Sequence, residues 1–461
     1  MKGRMSLSPA ILAALAASAW AQAPAPSSPA TLSGTLSPAP PPITLQDAIN
    51  RARRYGGQIQ SANLAVLLAK EDSAQARALA LPTVSAFNQF IYTEGNGTPS
   101  GVFVANDGVH IYNEQAVVHE ELLAVFRHGE IRRAFALHAA AAAKVDVAAR
   151  GLVATVIQDY YAIASAERKF VNAQKSRVEA HNFLDITQKQ EKGGEAAHAD
   201  VIKAQIQAQQ RDRDLLDAQV AIEKAKIALG VLIFPAFSSS FSVVDDMSQA
   251  VLLPPVEEAR AKATASSPDL RAARFTAESA GYDVGVARYG FLPSLALDFF
   301  YGINANEFGI NGPATREPVG GALGNEALPG RHNLGYSAQV TLNIPVWNWG
   351  VTRSRVRQAE FKRDQAQLDV SVAERTLQSN LAIAYAEASA AQAQIESLRS
   401  SAELSAESLR LTILRYQAGE AAAFEVVDAQ STVTQARNAY DDGLARYRVA
   451  LANIQTLTGT F

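Results

Sequence analysis

Between positions 334 and 345 apolar and polar residues alternate. Tyr336, Ala338, Val340, Leu342 and Ile344 fall on one side, and Ser337, Gln339, Thr341 and Asn343 on the other. Period two with one apolar face predicts a β-strand, and about ten residues is the length that crosses a bilayer at a tilt. Residues 294–301 read alike, with Leu295, Leu297, Phe299 and Tyr301 against Ser294, Ala296 and Asp298, and with Phe300 breaking the polar side. Elsewhere the pattern is helical. The chain holds no proline between Pro99 and Pro235 and none after Pro345, and both stretches are rich in Ala, Gln, Glu, Lys, Arg and Leu. These are strong helix formers. Helices are expected over 127–192 and 350–417, each a rod of roughly 100 Å at 1.5 Å per residue. Both rods stop at glycine, Gly193-Gly194 and Gly419, the usual residue just past a helix C-terminus. Each is followed by a second helix, 198–233 and 422–457, so each stretch reads as a long helical hairpin.

The two halves repeat one another. Leu81-Pro82-Thr83-Val84 matches Leu292-Pro293-Ser294-Leu295, with Ala76-Arg77 and Ala287-Arg288 at the same offset; Gly194-Glu195-Ala196-Ala197 matches Gly419-Glu420-Ala421-Ala422. The offset lengthens between these landmarks, and the extra residues fall in the Gly- and Asn-rich segment 302–333, a surface loop by composition. Shared landmarks in one order point to a duplicated unit. The repeat therefore assigns strands to 83–92 and 110–123, where alternation is poor and His119, Glu120 and Glu121 interrupt it. The domain reading is a first repeat over 43–255, with helices 44–81 (divided as 44–56 and 58–81), 127–192 and 198–233 and a linker at 234–255. A second repeat covers 256–461, with helices 257–291, 350–417 and 422–457. A soluble hairpin lying on the helices is the alternative for the strands.

The first 21 residues look like an export signal: Lys2 and Arg4, a short apolar run, then Ala19-Trp20-Ala21. Seven prolines within 24–42 make 22–42 a tether. No other stretch is long and apolar enough for a transmembrane helix, so membrane insertion would use strands. A net charge of −3 gives no basic face for nucleic acid. The absence of cysteine excludes disulfides, thiol catalysis and lipid attachment to a cysteine. His119-Glu120 begins an H-E-x-x-H, but Leu123 occupies its last position, so no zinc site is read and no cofactor or metal is expected. Gly281 and Gly285 form a G-x-x-x-G in a charged segment, a close-packing point at most. No nucleophile–base pair is visible, and no enzyme is expected. Four strands cannot close a barrel, and hydrocarbon does not tolerate an open sheet edge. Spanning strands would have to be pooled by several copies.

The order of these features resembles the TolC-like outer-membrane efflux protein family over about 43–461. The residues that carry the resemblance are Ile43-Thr44-Leu45-Gln46-Asp47-Ala48-Ile49, the two Leu-Pro strand starts, Pro345-Val346-Trp347-Asn348-Trp349-Gly350 and Arg415-Tyr416-Gln417-Ala418-Gly419-Glu420. The fold class this implies is mainly α with a membrane β-barrel: a homotrimer whose twelve-stranded barrel in the outer membrane continues into a twelve-helix barrel in the periplasm. It further implies an exit duct for efflux or type I secretion that docks to a periplasmic adaptor and an inner-membrane pump. The hairpin tips, Gly194, Glu195, Gly419 and Glu420, would then contact the adaptor. Glu425 and Asp428 match the family's constricting acidic positions, and Asp200 and Tyr416 match two members of its tyrosine–arginine–aspartate linkage. Ala421 stands where that linkage has arginine. The competing readings are a periplasmic coiled-coil adaptor, which usually carries one hairpin and not two, and a structural envelope protein.

Overall fold

The computed structural model describes residues 42–92, 110–123, 125–236, 238–249, 251–305 and 334–460. The expected signal and nearly all of the tether lie outside the described residues, as does most of the 302–333 loop. Among the described residues eight helices and four strands run in the order α1 (Leu45–Tyr55), α2 (Gly57–Ala78), β1 (Thr83–Tyr92), β2 (His110–Glu121), α3 (Val125–Lys192), α4 (His198–Ile233), α5 (Val256–Ser266), α6 (Pro268–Tyr289), β3 (Ser294–Ala305), β4 (Leu334–Asn343), α7 (Val351–Gln417) and α8 (Ala423–Thr458). Among the described residues no helix is long and apolar enough to cross a membrane.

The strands form one antiparallel sheet in the order β1-β2-β3-β4. The two repeats join at its centre, where Val118 faces Phe299 and His119 faces Asp298. The outer edges of β1 and β4 are left unpaired in the protomer. β2 ends at Glu121, short of the expected 123, and β3 runs to Ala305, past the expected 301.

The largest departure from expectation is the second repeat's leading helix, read as one element over 257–291. It breaks between α5 and α6 at Ser267-Pro268. Proline lacks the N–H that would continue the helix. Ser267 caps the new helix by accepting from the Leu270 N–H at 3.2 Å. The corresponding break in the first repeat is Gly56. The two residues hold the same backbone, φ −63° and ψ 114° at Gly56 and φ −62° and ψ 116° at Ser267. Gly56 is needed for closeness: a Cβ there would lie 2.5 Å from Leu152 Cδ2. One kink is thus conserved between the repeats by two chemical routes. At Thr44 a capping box with Asp47 starts α1.

A core lies where α1, the middle of α3, the end of α4 and the 234–255 strap converge, built on Ile49, Leu152, Ile157, Tyr160, Ile163, Leu229 and Ile233. Ile43 pairs with Val243 in an isolated parallel bridge. The buried Tyr160 hydroxyl ties this bridge to α3 by donating to Val244 O at 2.7 Å and Ile43 O at 3.2 Å. Burial and the nearby Asp246 carboxylate push that phenol well above its ordinary range.

Candidate functional site

The register divides the sheet into two chemically distinct faces. One, mainly polar, carries Thr83, Ser85 and Gln89; Asn113, Gln115, His119 and Glu121; Ser294 and Asp298; and Ser337, Gln339, Thr341 and Asn343, interrupted by Phe87, Val117, Ala296 and Phe300. Its groups bond across the strands, Asn113 to Gln89 at 3.1 Å and His119 to Asp298 at 2.6 Å. The opposite face carries Val84, Ala86 and Phe90; Ala116 and Val118; Leu295, Leu297, Phe299, Tyr301 and Ile303; and Leu334, Tyr336, Ala338, Val340 and Leu342. Asn88 and Glu114, directly opposite each other, and Glu120 near the end of β2 interrupt it. Sequence patterning found the apolar face on β3 and β4. On β1 and β2 the polar insertions hid it, and only pairing with β3 reveals which side each residue takes. His119, which looked like an interruption of β2, is the cross-strand partner of Asp298.

The hairpin tips form the second candidate region. Gly194 at φ 79° and Gly419 at φ 77° take the left-handed conformation that glycine adopts most readily. Both turns close alike, Glu195 N–H to Gln190 O and Glu420 N–H to Arg415 O, each at 2.8 Å. Glu195 and Glu420 are exposed. Glu425 caps α8 by accepting from the Ala422 N–H at 3.0 Å and meets Arg415 at 3.5 Å, while Arg415 also donates to Glu420 O at 3.1 Å. Asp428 is exposed on α8, and Asp200 lies in the first turn of α4. Tyr416 is buried edge-on against Phe183, ring centroids 5.1 Å apart. Its hydroxyl is buried without a partner among the described residues, so within the protomer it does not bond Asp200. The two tips meet instead through Gln190, whose amide donates to Tyr416 O at 3.4 Å. Arg415 escaped sequence reasoning because the expected arginine belonged at 421. It stood in the sequence as the first residue of the tip motif Arg415–Glu420, with no role assigned to it.

Between tips and sheet, polar side chains stitch the halves together. Arg168 on α3 holds Asp245 at 2.5 Å, Ser248 at 2.7 Å and Asp441 on α8 at 3.3 Å. Asn172 donates to Asp441 at 2.8 Å. The buried Arg448 meets the Asp246 carboxylate at 2.5 Å and its carbonyl at 3.0 Å. Burial, with Asp246 adding to it, pushes the Tyr161 phenol up to about 12. Each of these side chains bonds a protein neighbour, though Asp246 Oδ1 and Arg448 Nε are buried without a partner among the described residues, and among those residues no cluster of His, Asp and Glu could hold a metal.

The described residues thus form a duplicated fold of long helical hairpins joined by a two-faced sheet with open edges. Residues 259–460 match the family model described as outer membrane efflux protein. The chain is 26% identical to outer membrane protein OprJ of Pseudomonas aeruginosa over 66% of its own length and 60% of that relative, so the match spans less than two thirds of OprJ. It is 26% identical to outer membrane protein TolC of Vibrio cholerae over 68% of each chain. Among solved structures, the outer-membrane channel OprN aligns with a TM-score of 0.76 at 19% identity, covering 90% of this chain and 89% of that one. The outer membrane protein VceC of Vibrio cholerae aligns at 0.73 and 18%, covering 90% and 96%. The resemblance to the TolC-like outer-membrane efflux protein family is thereby shown, by the family model over 259–460, by relatives over about two thirds of the chain, and in fold over nine-tenths of it. OprJ, TolC and VceC are described as outer membrane proteins, and OprN as an outer-membrane channel.

Proposed function

We propose that the chain is the outer-membrane exit duct of a tripartite efflux or type I secretion system, a passive trimeric channel whose helices extend into the periplasm. The observation that carries this reading is the four-stranded sheet with one mainly polar face, one mainly apolar face and two free edges. Such a sheet is stable in hydrocarbon only if its edges are paired. Three copies joined β4 to β1 supply twelve strands, place the apolar face toward lipid and line a lumen with Gln339, Thr341, Asn113 and the His119–Asp298 pair. Cyclic assembly is the ordinary way for identical copies to close such a ring. The α3–α4 and α7–α8 hairpins of three copies then form the twelve-helix barrel.

At its far end Asp428, repeated three times, forms an acidic ring that favours cations. Glu425 contributes less, because the α8 cap and Arg415 already engage it. The exposed tips at Gly194-Glu195 and Gly419-Glu420 offer the surfaces for a periplasmic adaptor, through which an inner-membrane pump delivers its cargo. A soluble periplasmic adaptor would not leave the face built on Leu297, Tyr336 and Val340 uncovered. The test is envelope fractionation followed by planar-bilayer recording of the detergent-extracted protein. Outer-membrane location and discrete conductance steps are expected. A monomer in the soluble periplasmic fraction overturns the reading. Loss of cation selectivity in Asp428→Ala is expected, and unchanged selectivity removes the acidic ring.

A further inference from the structure

Where β4 gives way to α7, the turn places two tryptophans in the open. Trp347 is 75% exposed and Trp349 87% exposed, their rings edge-to-face at 5.7 Å. Trp349 has φ 54°, the one non-glycine residue with positive φ among those described, and Gly350 follows at φ 85°. A bulky side chain in the left-handed region is uncommon, and such strain persists where the residue serves a purpose outside local stability. Among the described residues the ring contact of this indole is with the other exposed indole, which stabilises little. The surroundings are apolar in the same way. Leu81 before β1, Leu122 after β2 and Phe291 before β3 are all exposed at the same end of the sheet. Leu342 and Ile344 continue the apolar face into the turn.

Immediately beyond, residues 351–359 hold Arg353, Arg355 and Arg357 and no acidic residue. Arg353 and Arg357 lie one turn apart, away from the buried Thr352 and Ala359, and make no ion pair among the described residues. This arrangement works against the helix itself. Like charges four apart repel, and cations at a helix start oppose its dipole. At 1.5 Å per residue the two guanidinium groups start roughly 5 to 10 Å beyond Gly350, the depth of a headgroup layer.

We propose that Trp347 and Trp349 with Arg353 and Arg357 form an anchor for anionic phospholipid, the indoles at the acyl–headgroup boundary and the guanidinium groups on the phosphates. Aromatic girdles at membrane interfaces and arginines beside anionic headgroups are both favourable. The inference rests on the channel reading above and adds a lipid chemistry to it.

The chain has three tryptophans, so in Trp20→Phe the fluorescence reports on Trp347 and Trp349 alone. This variant is reconstituted in mixed phosphatidylglycerol–phosphatidylcholine vesicles. Bromine is placed high on the acyl chains of either lipid at equal mole fraction. Bromine on either lipid should quench emission, with roughly twofold stronger quenching from brominated phosphatidylglycerol. Adding Arg353→Gln and Arg357→Gln should abolish the difference but keep the quenching. Equal quenching from both lipids in the parent overturns the headgroup preference. Unquenched tryptophans in protein that floats with vesicles and conducts would mean that a neighbouring copy covers them; the anchor is then wrong and the channel stands. Failure to float or conduct removes both.

Discussion

Tyr416 decides what holds the tip of the α7–α8 hairpin against that of the α3–α4 hairpin. Its ring is 5% exposed against Phe183, itself 1% exposed. Truncating a buried aromatic to alanine costs about 3 to 5 kcal/mol. Arg415, by contrast, meets Glu425 at 3.5 Å with about half of its side chain exposed, and a surface pair of that kind contributes about 0.5 kcal/mol. The Tyr416 hydroxyl has no partner among the described residues, so removing it should cost nothing and could return up to about 1 kcal/mol of desolvation. The expected order of loosening is therefore Tyr416→Ala far above Arg415→Ala, with Tyr416→Phe at or slightly better than the parent. Amide hydrogen exchange over residues 409–430 reads local opening directly. A loss of about 3 kcal/mol should speed exchange by about a hundredfold in Tyr416→Ala. Exchange in Tyr416→Phe as fast as in Tyr416→Ala would refute the reasoning, because it would mean that another subunit's group holds the hydroxyl. Greater loosening in Arg415→Ala than in Tyr416→Ala would refute it equally.

Asp441→Ala removes one of two acceptors of Asn172, which keeps Asn438, and one of two carboxylates on Arg168. A loss of about 2 kcal/mol is expected in thermal melts, since Arg168 keeps Asp245, and Asp441→Asn should lose less than half of that. Gly230→Ala would set a Cβ 2.3 Å from Ser238 O and should destabilise by about 1 to 3 kcal/mol. Gly281→Ala, with nothing within 4 Å, should gain about 0.5 to 1 kcal/mol on melting. Burial holds the Asp159 carboxyl above its ordinary value of 3.8. Its ionisation therefore costs folded-state stability, increasingly so as pH rises through that value toward the raised one. Asp159→Asn should melt higher than the parent at neutral pH, the gain vanishing below the ordinary carboxylate range.

The long helices were legible because proline-free stretches end at Gly194 and Gly419, where only the backbone matters. The repeat was legible from its Leu-Pro and Gly-Glu landmarks. The break at Ser267-Pro268 was written in a serine followed by proline, yet the amphipathic pattern runs straight across it and conceals it. The faces of β1 and β2 were hidden because Asn88, Glu114 and Glu120 spoil their alternation, and the cross-strand register, which sorts them, is a tertiary fact. Gly281 and Gly285 read as a close-packing point, but a Cβ at either meets nothing within 4 Å in the protomer. At the tip, residue types could be matched to a known pattern, but whether Tyr416 points inward or across to a neighbour depends on Phe183, which lies more than 200 positions away.

The central claim is that three copies close one barrel by joining β4 of each to β1 of the next. The chain has no cysteine, so paired cysteines introduced on the two free edges, at Ser85 with Thr341 or Gln339 and at Gln89 with Ser337 or Gly335, report that junction without background. Oxidised in the native outer membrane and run without reductant, at least one pair should give bands at two and three chain masses and none above. Monomer from every pair, or a ladder extending past three, would contradict the account.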